Sequence, residues 1–111
     1  MTELAELGCI PCSGSLPPMN AAEIAELKPQ IPEWTIVRES GEDRLKRSYF
    51  FPDFKSALAF SQRIGEEAEK AGHHPTILTE WGKVTVTWWT HAIHGLHRND
   101  FVMAARTDAL T

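Results

Sequence analysis

Residues 76–89 read TILTEWGKVTVTWW, and this stretch decides the fold. In its second half Val84, Val86 and Trp88 alternate with two threonines and a second tryptophan. Successive side chains of a strand point to opposite faces, so this alternation predicts a half-buried β-strand. A Trp-Gly pair separates it from a shorter run of the same kind. The stretch therefore predicts an antiparallel hairpin whose two tryptophans, at 88 and 89, face opposite sides of the sheet.

The other elements follow outward from this hairpin. They are a helix over Ala21 to Leu27 capped by Asn20, strands over Trp34 to Glu39 and Arg44 to Phe50 joined by a turn at Ser40 to Asp43, a helix from its cap at Asp53 to a stop at Gly72, and a last helix from about His97 or Arg98 to Leu110. The order predicts an α+β domain: a four-stranded antiparallel sheet with its helices packed on one face. In the long helix the predicted core stripe contains Phe54, Leu58, Ser61, Ile64 or Gly65, and Ala68.

Composition divides the chain into two parts. Residues 1–19 are rich in Gly, Pro, Ser and Cys and predict an irregular N-terminal arm, whereas residues 20–111 predict the folded domain. The arm holds one CxxC, Cys9 and Cys12, without the second pair of ligands that a structural zinc site needs. A reduced pair on the arm is the favoured interpretation, and zinc shared with histidines or between subunits stays open.

Charge and hydropathy exclude several functional classes. The 111 residues carry a formal net charge of −4, with no basic stripe that could neutralise phosphates, so nucleic-acid binding is disfavoured. The longest apolar run is far shorter than a membrane span. The first residues, MTELAE, are acidic and lack the basic and apolar regions of a secretory signal. We expect a cytoplasmic protein that binds neither nucleic acid nor membrane.

All five histidines lie between positions 73 and 97. His73 and His74 precede Pro75, which favours extended backbone, so their side chains should point to opposite sides. His91 follows the strongest strand by two residues, and in an antiparallel hairpin that point returns close to His73 and His74. His94 and His97 are weaker candidates.

Three chemical interpretations of this cluster stay open at this level. Imidazoles titrate near neutrality and suit acid–base catalysis. Three neutral imidazoles also suit an open, catalytic zinc site. A coincidental cluster at a loop-rich end of the sheet is the third interpretation. Geometry has to decide among them.

Three segments carry a family resemblance: EKAGHHP at 69–75, LTEWGKVTVTWWTH at 78–91 and GLHRND at 95–100. The paired His-His-Pro, the aromatic turn, the Thr-His and the following Asp resemble the signature of the pterin-4a-carbinolamine dehydratases. The resemblance is strongest to bacterial members associated with phenylalanine hydroxylase. It covers the chain from about Asn20 to the C-terminus.

The resemblance implies an enzyme that converts 4a-hydroxytetrahydropterin to quinonoid dihydropterin and water, without metal or other cofactor. It implies that His73, His74 and His91 line the pterin pocket. It also implies substrate contacts from Gly72, Trp89, Thr90 and Ala92. Our hypothesis makes His73 and His91 the proton-transfer pair, while His74 mainly positions the substrate.

The resemblance also implies a homodimer or homotetramer, with strands pairing between subunits, and a functional link to phenylalanine hydroxylase. The alternative class is a binding module, because some proteins of this fold act as dimerisation cofactors or assembly chaperones. Such divergent members tend to lose a pocket histidine, and this chain keeps all three. The comparison favours the enzyme.

Overall fold

The computed structural model describes residues 4–6 and 17–111. Within them the main elements follow the predicted order. The elements are α1 (Ala21–Leu27), β1 (Thr35–Glu39), β2 (Glu42–Phe50), α2 (Phe54–Ala71), β3 (Thr76–Glu80), β4 (Lys83–Trp88) and α3 (Arg98–Ala109). Short 3₁₀ turns cover Leu4–Glu6, Lys28–Gln30 and His91–Ile93.

The strands form one antiparallel sheet in the order β1-β2-β4-β3, which confirms the predicted α+β class. In the β3–β4 hairpin, Thr76 pairs with Thr87. The β1–β2 connection is tighter than expected, because only Ser40 and Gly41 form the turn, with φ of 52° and 77°. Two consecutive residues with positive φ match the twist of a two-residue hairpin, so β2 begins at Glu42, two residues earlier than expected.

One face of the sheet packs against α2 and α3. Leu45, Val86 and Trp88 point to this face and are completely buried. The indole N–H of Trp88 donates to the hydroxyl of Thr107 in α3 over 3.2 Å. Trp89, just beyond the end of β4, turns to the opposite face of the sheet. The consecutive tryptophans are thus divided between the two faces, as alternation predicts.

α2 rests on the sheet through a stripe that differs in part from the predicted one. Its buried side chains are Ala57, Phe60, Ser61, Ile64 and Ala68. Phe54 and Leu58, expected in the stripe, are 44% and 51% exposed. At 3.6 residues per turn they lie about 60° and 100° around the helix from the centre of the buried stripe, which puts them at its border.

Asp108, in the last turn of α3, ties this helix to β2 and to the segment before β1. Its Oδ1 accepts hydrogen bonds from the Trp34 indole at 3.0 Å and from Arg47 at 2.8 Å. The Tyr49 hydroxyl donates to the same oxygen. Burial, followed by this hydrogen bond and the nearby negative charge, raises the pKa of Tyr49 well above its ordinary value. The phenol is therefore a neutral donor at any physiological pH.

Short N-terminal segments also contact the domain. Leu4 is buried, and its backbone N–H donates to the Gln30 side chain at 3.0 Å. The N–H of Met19 donates to the carbonyl of Leu96 at 2.9 Å. The domain boundary at position 20 stays a prediction, and the CxxC motif lies outside the described residues.

In the part of the chain that the structure describes, no helix is both long and apolar enough to cross a bilayer.

Candidate active site

His73 leaves the end of α2 in a fixed direction. Gly72 adopts a left-handed φ of 65°, and the N–H groups of Gly72 and His73 donate back to the carbonyls of Glu69 and Ala68. This is the Schellman arrangement that commonly ends a helix. The imidazole of His73 then stacks on Trp88, with ring centroids 5.4 Å apart and planes inclined by 25°. Its side chain is 16% exposed, so part of it remains accessible to solvent.

The Asp100 carboxylate has three hydrogen-bond partners, one of which is His73. Its Oδ1 lies 2.6 Å from Nε2 of His73, and its Oδ2 accepts from the Thr90 hydroxyl at 2.8 Å and from the His97 N–H at 2.9 Å. The side chain of Asp100 is 0% exposed. An ionised carboxylate only accepts hydrogen bonds, so Nε2 of His73 carries the proton in this contact. The carboxylate therefore fixes both the orientation and the tautomer of His73.

His91 begins the loop that follows β4. The N–H of Thr90 donates to the carbonyl of Gly95 at 2.9 Å, and this isolated bridge closes the loop of residues 91–94 at its base. His91 and Ala92 are exposed on this loop. The loop thus presents the imidazole of His91 to solvent from an anchored base.

The hairpin register places His73 and His91 at the same end of the sheet. Thr76 pairs with Thr87. Continued by three residues, this register sets position 73 opposite position 90. Asp100 joins the two segments directly, because it binds both His73 and Thr90. His91 is the next residue after Thr90, so both predicted proton-transfer histidines lie at the end of the sheet where Asp100 is buried.

His74 points away from this arrangement. Its Nε2 lies 3.2 Å from Glu69, and both side chains are exposed, at 61% and 79%. His74 lines an open groove between α2 and β3, together with Pro75 and Ile77. The paired histidines are divided between opposite sides, as extended backbone predicts.

Trp89 lies on the open face of the sheet, under a guanidinium. The Cζ atom of Arg44 is 4.0 Å from the indole centroid, and the ring of His91 is 4.4 Å from it. Arg44 is held by Glu39 and Glu42, each at 3.0 Å. The indole N–H of Trp89 and Nε of Arg44 are buried, and neither has a partner among the described groups. Trp89 and Arg44 line a small cleft of about 170 Å³, next to the His91 ring.

His97 caps α3 with its imidazole. Nδ1 of His97 accepts from the backbone N–H of Asn99 at 3.0 Å, while the N–H of His97 donates to Asp100. Burial lowers the pKa of His97 below its ordinary value; the Asp100 carboxylate opposes this, and the neighbouring Arg98 and His73 add to it. The neutral form, which can accept at Nδ1, is thus favoured.

A metal triad is not formed by these histidines. Within residues 4–6 and 17–111, no three His, Cys, Asp or Glu side chains are placed as a metal-binding group. His73 is bound to Asp100 and His74 to Glu69 instead. The interpretation of Cys9 and Cys12 as zinc ligands falls outside the described residues.

Comparison with known proteins identifies the family of this chain. Residues 17–110 match the family model described as pterin 4 alpha carbinolamine dehydratase. The chain belongs to this dehydratase family. A relative from Gloeobacter violaceus, provisionally named pterin-4-alpha-carbinolamine dehydratase 1, is 61% identical over 96% of this chain and 92% of its own length. A relative from Chlorobium limicola, provisionally named pterin-4-alpha-carbinolamine dehydratase, is 54% identical over 99% of this chain and 97% of its own length.

Two solved structures share the fold. A Brucella melitensis protein described as a transcriptional coactivator/pterin dehydratase superposes with a TM-score of 0.75 and 29% identity, over 84% of this chain and 97% of that one. A pterin dehydratase-like RuBisCO assembly factor of the alpha-carboxysome superposes with a TM-score of 0.59 and 23% identity, over 70% and 88%. The second likeness concerns the dehydratase fold alone.

The dehydratase fold brings together part of the predicted site. His73 and Thr90 bind Asp100, and Trp89 contacts His91, the residue after Thr90. The other predicted residues lie further out. Gly72 ends α2, Ala92 is exposed on the loop, and His74 faces the groove between α2 and β3.

Two residues of the site were missed by sequence reasoning. The sequence puts Asp100 in the first turn of the last helix and in the motif that carries the resemblance to the dehydratases, and neither position predicts a bond to His73. Its position three residues after a helix cap is the ordinary place of a capping-box acid, which hides its contact with a histidine 27 positions earlier. Arg44 was interpreted as a strand residue, and nothing local in the sequence signals its position over Trp89.

Proposed function

We propose that this chain is a hydro-lyase that converts 4a-hydroxytetrahydropterin to quinonoid dihydropterin and water by histidine acid–base catalysis. The carrying observation is the buried carboxylate of Asp100 behind Nε2 of His73, with His91 on the adjoining loop. In this elimination the bond from C4a to the hydroxyl oxygen breaks. The departing hydroxyl takes up one proton and leaves as water, and a pterin nitrogen loses one proton.

His73 is the proton acceptor in this proposal. Because Nε2–H donates to Asp100, the free lone pair of the neutral ring is on Nδ1, which takes the proton from the pterin nitrogen. The resulting imidazolium is stabilised by a carboxylate 2.6 Å away in a buried setting, where such a bond is strong. Stacking on Trp88 holds the ring plane. This arrangement lowers the reorganisation needed at the moment of transfer.

His91 is the proton donor to the departing hydroxyl. Its exposed ring is reached by solvent, so it can be reprotonated after each turnover. Trp89, 4.4 Å from that ring, offers a flat surface and a buried indole N–H without a partner among the described groups. A pterin is flat and rich in acceptor atoms, which matches this surface. Gly72, Thr90 and Ala92 complete the proposed substrate contacts, and His74 orients the substrate from the groove side.

The proposal is tested by following the decay of 4a-hydroxypterin absorbance after a stopped phenylalanine hydroxylase reaction. We expect the wild type to accelerate the decay, and His73→Ala and His91→Ala each to lower kcat by about 10²- to 10⁴-fold, the usual contribution of a positioned acid or base. His94→Ala removes an exposed imidazole from the same loop and is the matched control. Far-ultraviolet circular dichroism checks that each variant is folded.

Two outcomes would contradict the proposal. A folded wild type that leaves the decay unchanged would exclude the dehydratase activity and favour a binding module. Acceleration that survives in both histidine variants would keep the activity but exclude this assignment of roles.

A homo-oligomer belongs to the same proposal. β3 is an edge strand of the sheet, and edge strands need cover. Leu78 on β3 and Trp81 in the following turn are 53% and 73% exposed, so pairing of β3 with a second copy would bury both. Light scattering should give a dimer or tetramer mass, and Leu78→Asp should lower it. A monomer at micromolar concentration would contradict this part.

The proposal also includes a cytoplasmic location and a functional link to phenylalanine hydroxylase, which would supply the substrate. The Brucella melitensis neighbour is described as both a coactivator and a dehydratase. Catalysis and a partner role are therefore compatible in this fold.

A further inference from the structure

The cap of α3 is made by a titratable side chain. Helix N-caps are ordinarily Ser, Thr, Asp or Asn, whose oxygen accepts a backbone N–H at any neutral pH. Here the acceptor is Nδ1 of His97, 3.0 Å from the N–H of Asn99. Only a neutral imidazole with its proton on Nε2 can accept there. When His97 is protonated, Nδ1 becomes a donor and this bond is lost.

The same residue holds the carboxylate behind the proton acceptor. The backbone N–H of His97 donates to Oδ2 of Asp100 at 2.9 Å, and Oδ1 of Asp100 binds His73 at 2.6 Å. Both halves of this capping box are present, so the imidazole and the carboxylate fix the same turn of helix. A change at the imidazole is therefore transmitted to His73 through a single residue, Asp100.

We propose that His97 is a positioning residue for the His73–Asp100 pair, and that its imidazole cap makes this positioning dependent on its protonation state. The proposal deepens the dehydratase function and rests on it. Protonation of His97 has two consequences, and both oppose proton transfer to His73. The first turn of α3 loses its cap, which loosens Asp100, and the new positive charge opposes a second positive charge on His73 when that ring accepts the substrate proton.

Charged groups from three elements face His97. Asp100 and Arg98 belong to α3, and His73 lies at the junction of α2 and β3. Across a cavity of about 390 Å³, Glu23 and Glu26 of α1 line the same space as the His97 ring. The three carboxylates favour the imidazolium, whereas burial, Arg98 and His73 disfavour it.

Burial, the largest of these effects, lowers the pKa of His97. Because the pKa is below the ordinary histidine value, the cap is intact at neutral pH. It should be lost only as the pH falls below about 6.5, the ordinary pKa of histidine. The expected result is a decline of kcat on the acid side that originates in the cap.

The test compares His97→Ser with His97→Ala from pH 5.5 to 8.5. Serine supplies a cap that does not titrate, so at pH 8 its kcat should stay within about twofold of the wild type, as conservative cap exchanges usually cost little. The His97→Ala variant should lower kcat by roughly three- to tenfold at pH 8, the effect of a lost cap of ordinary strength, with KM less affected. The acid decline of kcat should be weaker in His97→Ser than in the wild type. His94→Ser, which removes an exposed imidazole, should keep the decline.

A second readout does not depend on catalysis. Amide exchange of Asn99, followed by NMR, should accelerate in the wild type as the pH falls below about 6.5 relative to the intrinsic rate, and not in His97→Ser. An unchanged acid limb of kcat in His97→Ser, or Asn99 protection that is independent of His97, would overturn the proposal. A wild type without dehydratase activity but with the expected Asn99 behaviour would overturn the function and keep the pH-dependent cap.

Discussion

Replacement of Asp100 by Asn should nearly abolish dehydration while leaving the fold intact. The carboxylate accepts from His73, Thr90 and His97. An asparagine of the same shape has one acceptor oxygen and one NH₂ donor. If the oxygen keeps the bonds to Thr90 and His97, the NH₂ group faces Nε2 of His73. Two donors cannot share this bond, so His73 must move its proton to Nδ1, the atom that accepts the substrate proton.

The expected losses follow from two roles of the Asp100 carboxylate, which fixes the tautomer of His73 and accepts hydrogen bonds that stabilise the fold. In Ser–His–Asp triads the same exchange, through the wrong tautomer, costs about 10⁴-fold in kcat. For a proton acceptor that contributes about 10²- to 10⁴-fold to kcat, the loss of kcat in Asp100→Asn is limited to that range.

The same substitution should cost little stability. The bonds from Thr90 and His97 change from charge-assisted to neutral, which costs about 1 kcal/mol each. The lower desolvation penalty of an amide offsets part of this cost. We expect a loss of about 1–2 kcal/mol, or roughly 5–10 °C in Tm.

The assay is the decay of 4a-hydroxypterin absorbance, with thermal melts followed by circular dichroism. The double variant His73→Ala/Asp100→Asn is the decisive control. Because Asp100 acts through His73, the double variant should be no slower than His73→Ala alone. Long-range ¹H–¹⁵N spectra of the imidazole should show the proton of His73 on Nε2 in the wild type and on Nδ1 in the variant. A folded Asp100→Asn protein within about threefold of wild-type kcat would refute the reasoning, as would strictly additive effects in the double variant.

Two predictions concern the scaffold. Asp108→Ala removes the carboxylate shared by three donors and should lower the free energy of unfolding, measured by urea denaturation, by about 2–4 kcal/mol, because buried donors lose a charged acceptor. The control Asp43→Ala breaks an exposed ion pair and should cost under about 1 kcal/mol. Equal losses in the two variants would contradict the role of Asp108. Gly82→Ala should cost more than Gly41→Ala in the same measurement, by about 1 kcal/mol or more. Both glycines have positive φ, but only at Gly82 would the new Cβ lie 2.9 Å from the Phe51 carbonyl, so similar losses would show that this clash is relaxed.

The sheet and the ends of its helices could be predicted because their signals are local. Alternation in residues 83–89 predicted the strand and the division of the tryptophans between two faces. Asn20 predicted the start of α1, and in the structure its side chain caps that helix in a capping box with Glu23. Gly72 predicted the end of α2. Each of these signals depends on backbone chemistry within a few residues, so neighbouring sequence is enough to interpret it.

The centre of the candidate site could not be predicted in the same way. The histidine cluster and the hairpin arithmetic predicted that His73 and His91 meet at one end of the sheet. The burial of Asp100 depends on how α3 docks against β4, and no local pattern distinguishes it from an exposed capping acid. Burial alone separates the roles of neighbouring residues: His73 is 16% exposed and His74 61%. Both have a carboxylate partner, but tertiary packing, which periodicity does not report, gives His73 the buried one and His74 an exposed one.

The buried charge at Asp100 is itself an argument for function. Desolvation of a carboxylate costs several kcal/mol, and a well-packed apolar side chain at a buried position is often at least as stabilising as a buried ion pair. Here three donors compensate the charge, and each comes from a segment fixed by its own backbone motif: the end of α2, the Thr90 bridge and the His97 cap. If this position served only to stabilise the fold, a buried carboxylate with three donors would offer little advantage over an apolar side chain. A site that must hold one imidazole in one tautomer gains a fixed acceptor for it, because all three motifs hold the carboxylate before any substrate binds.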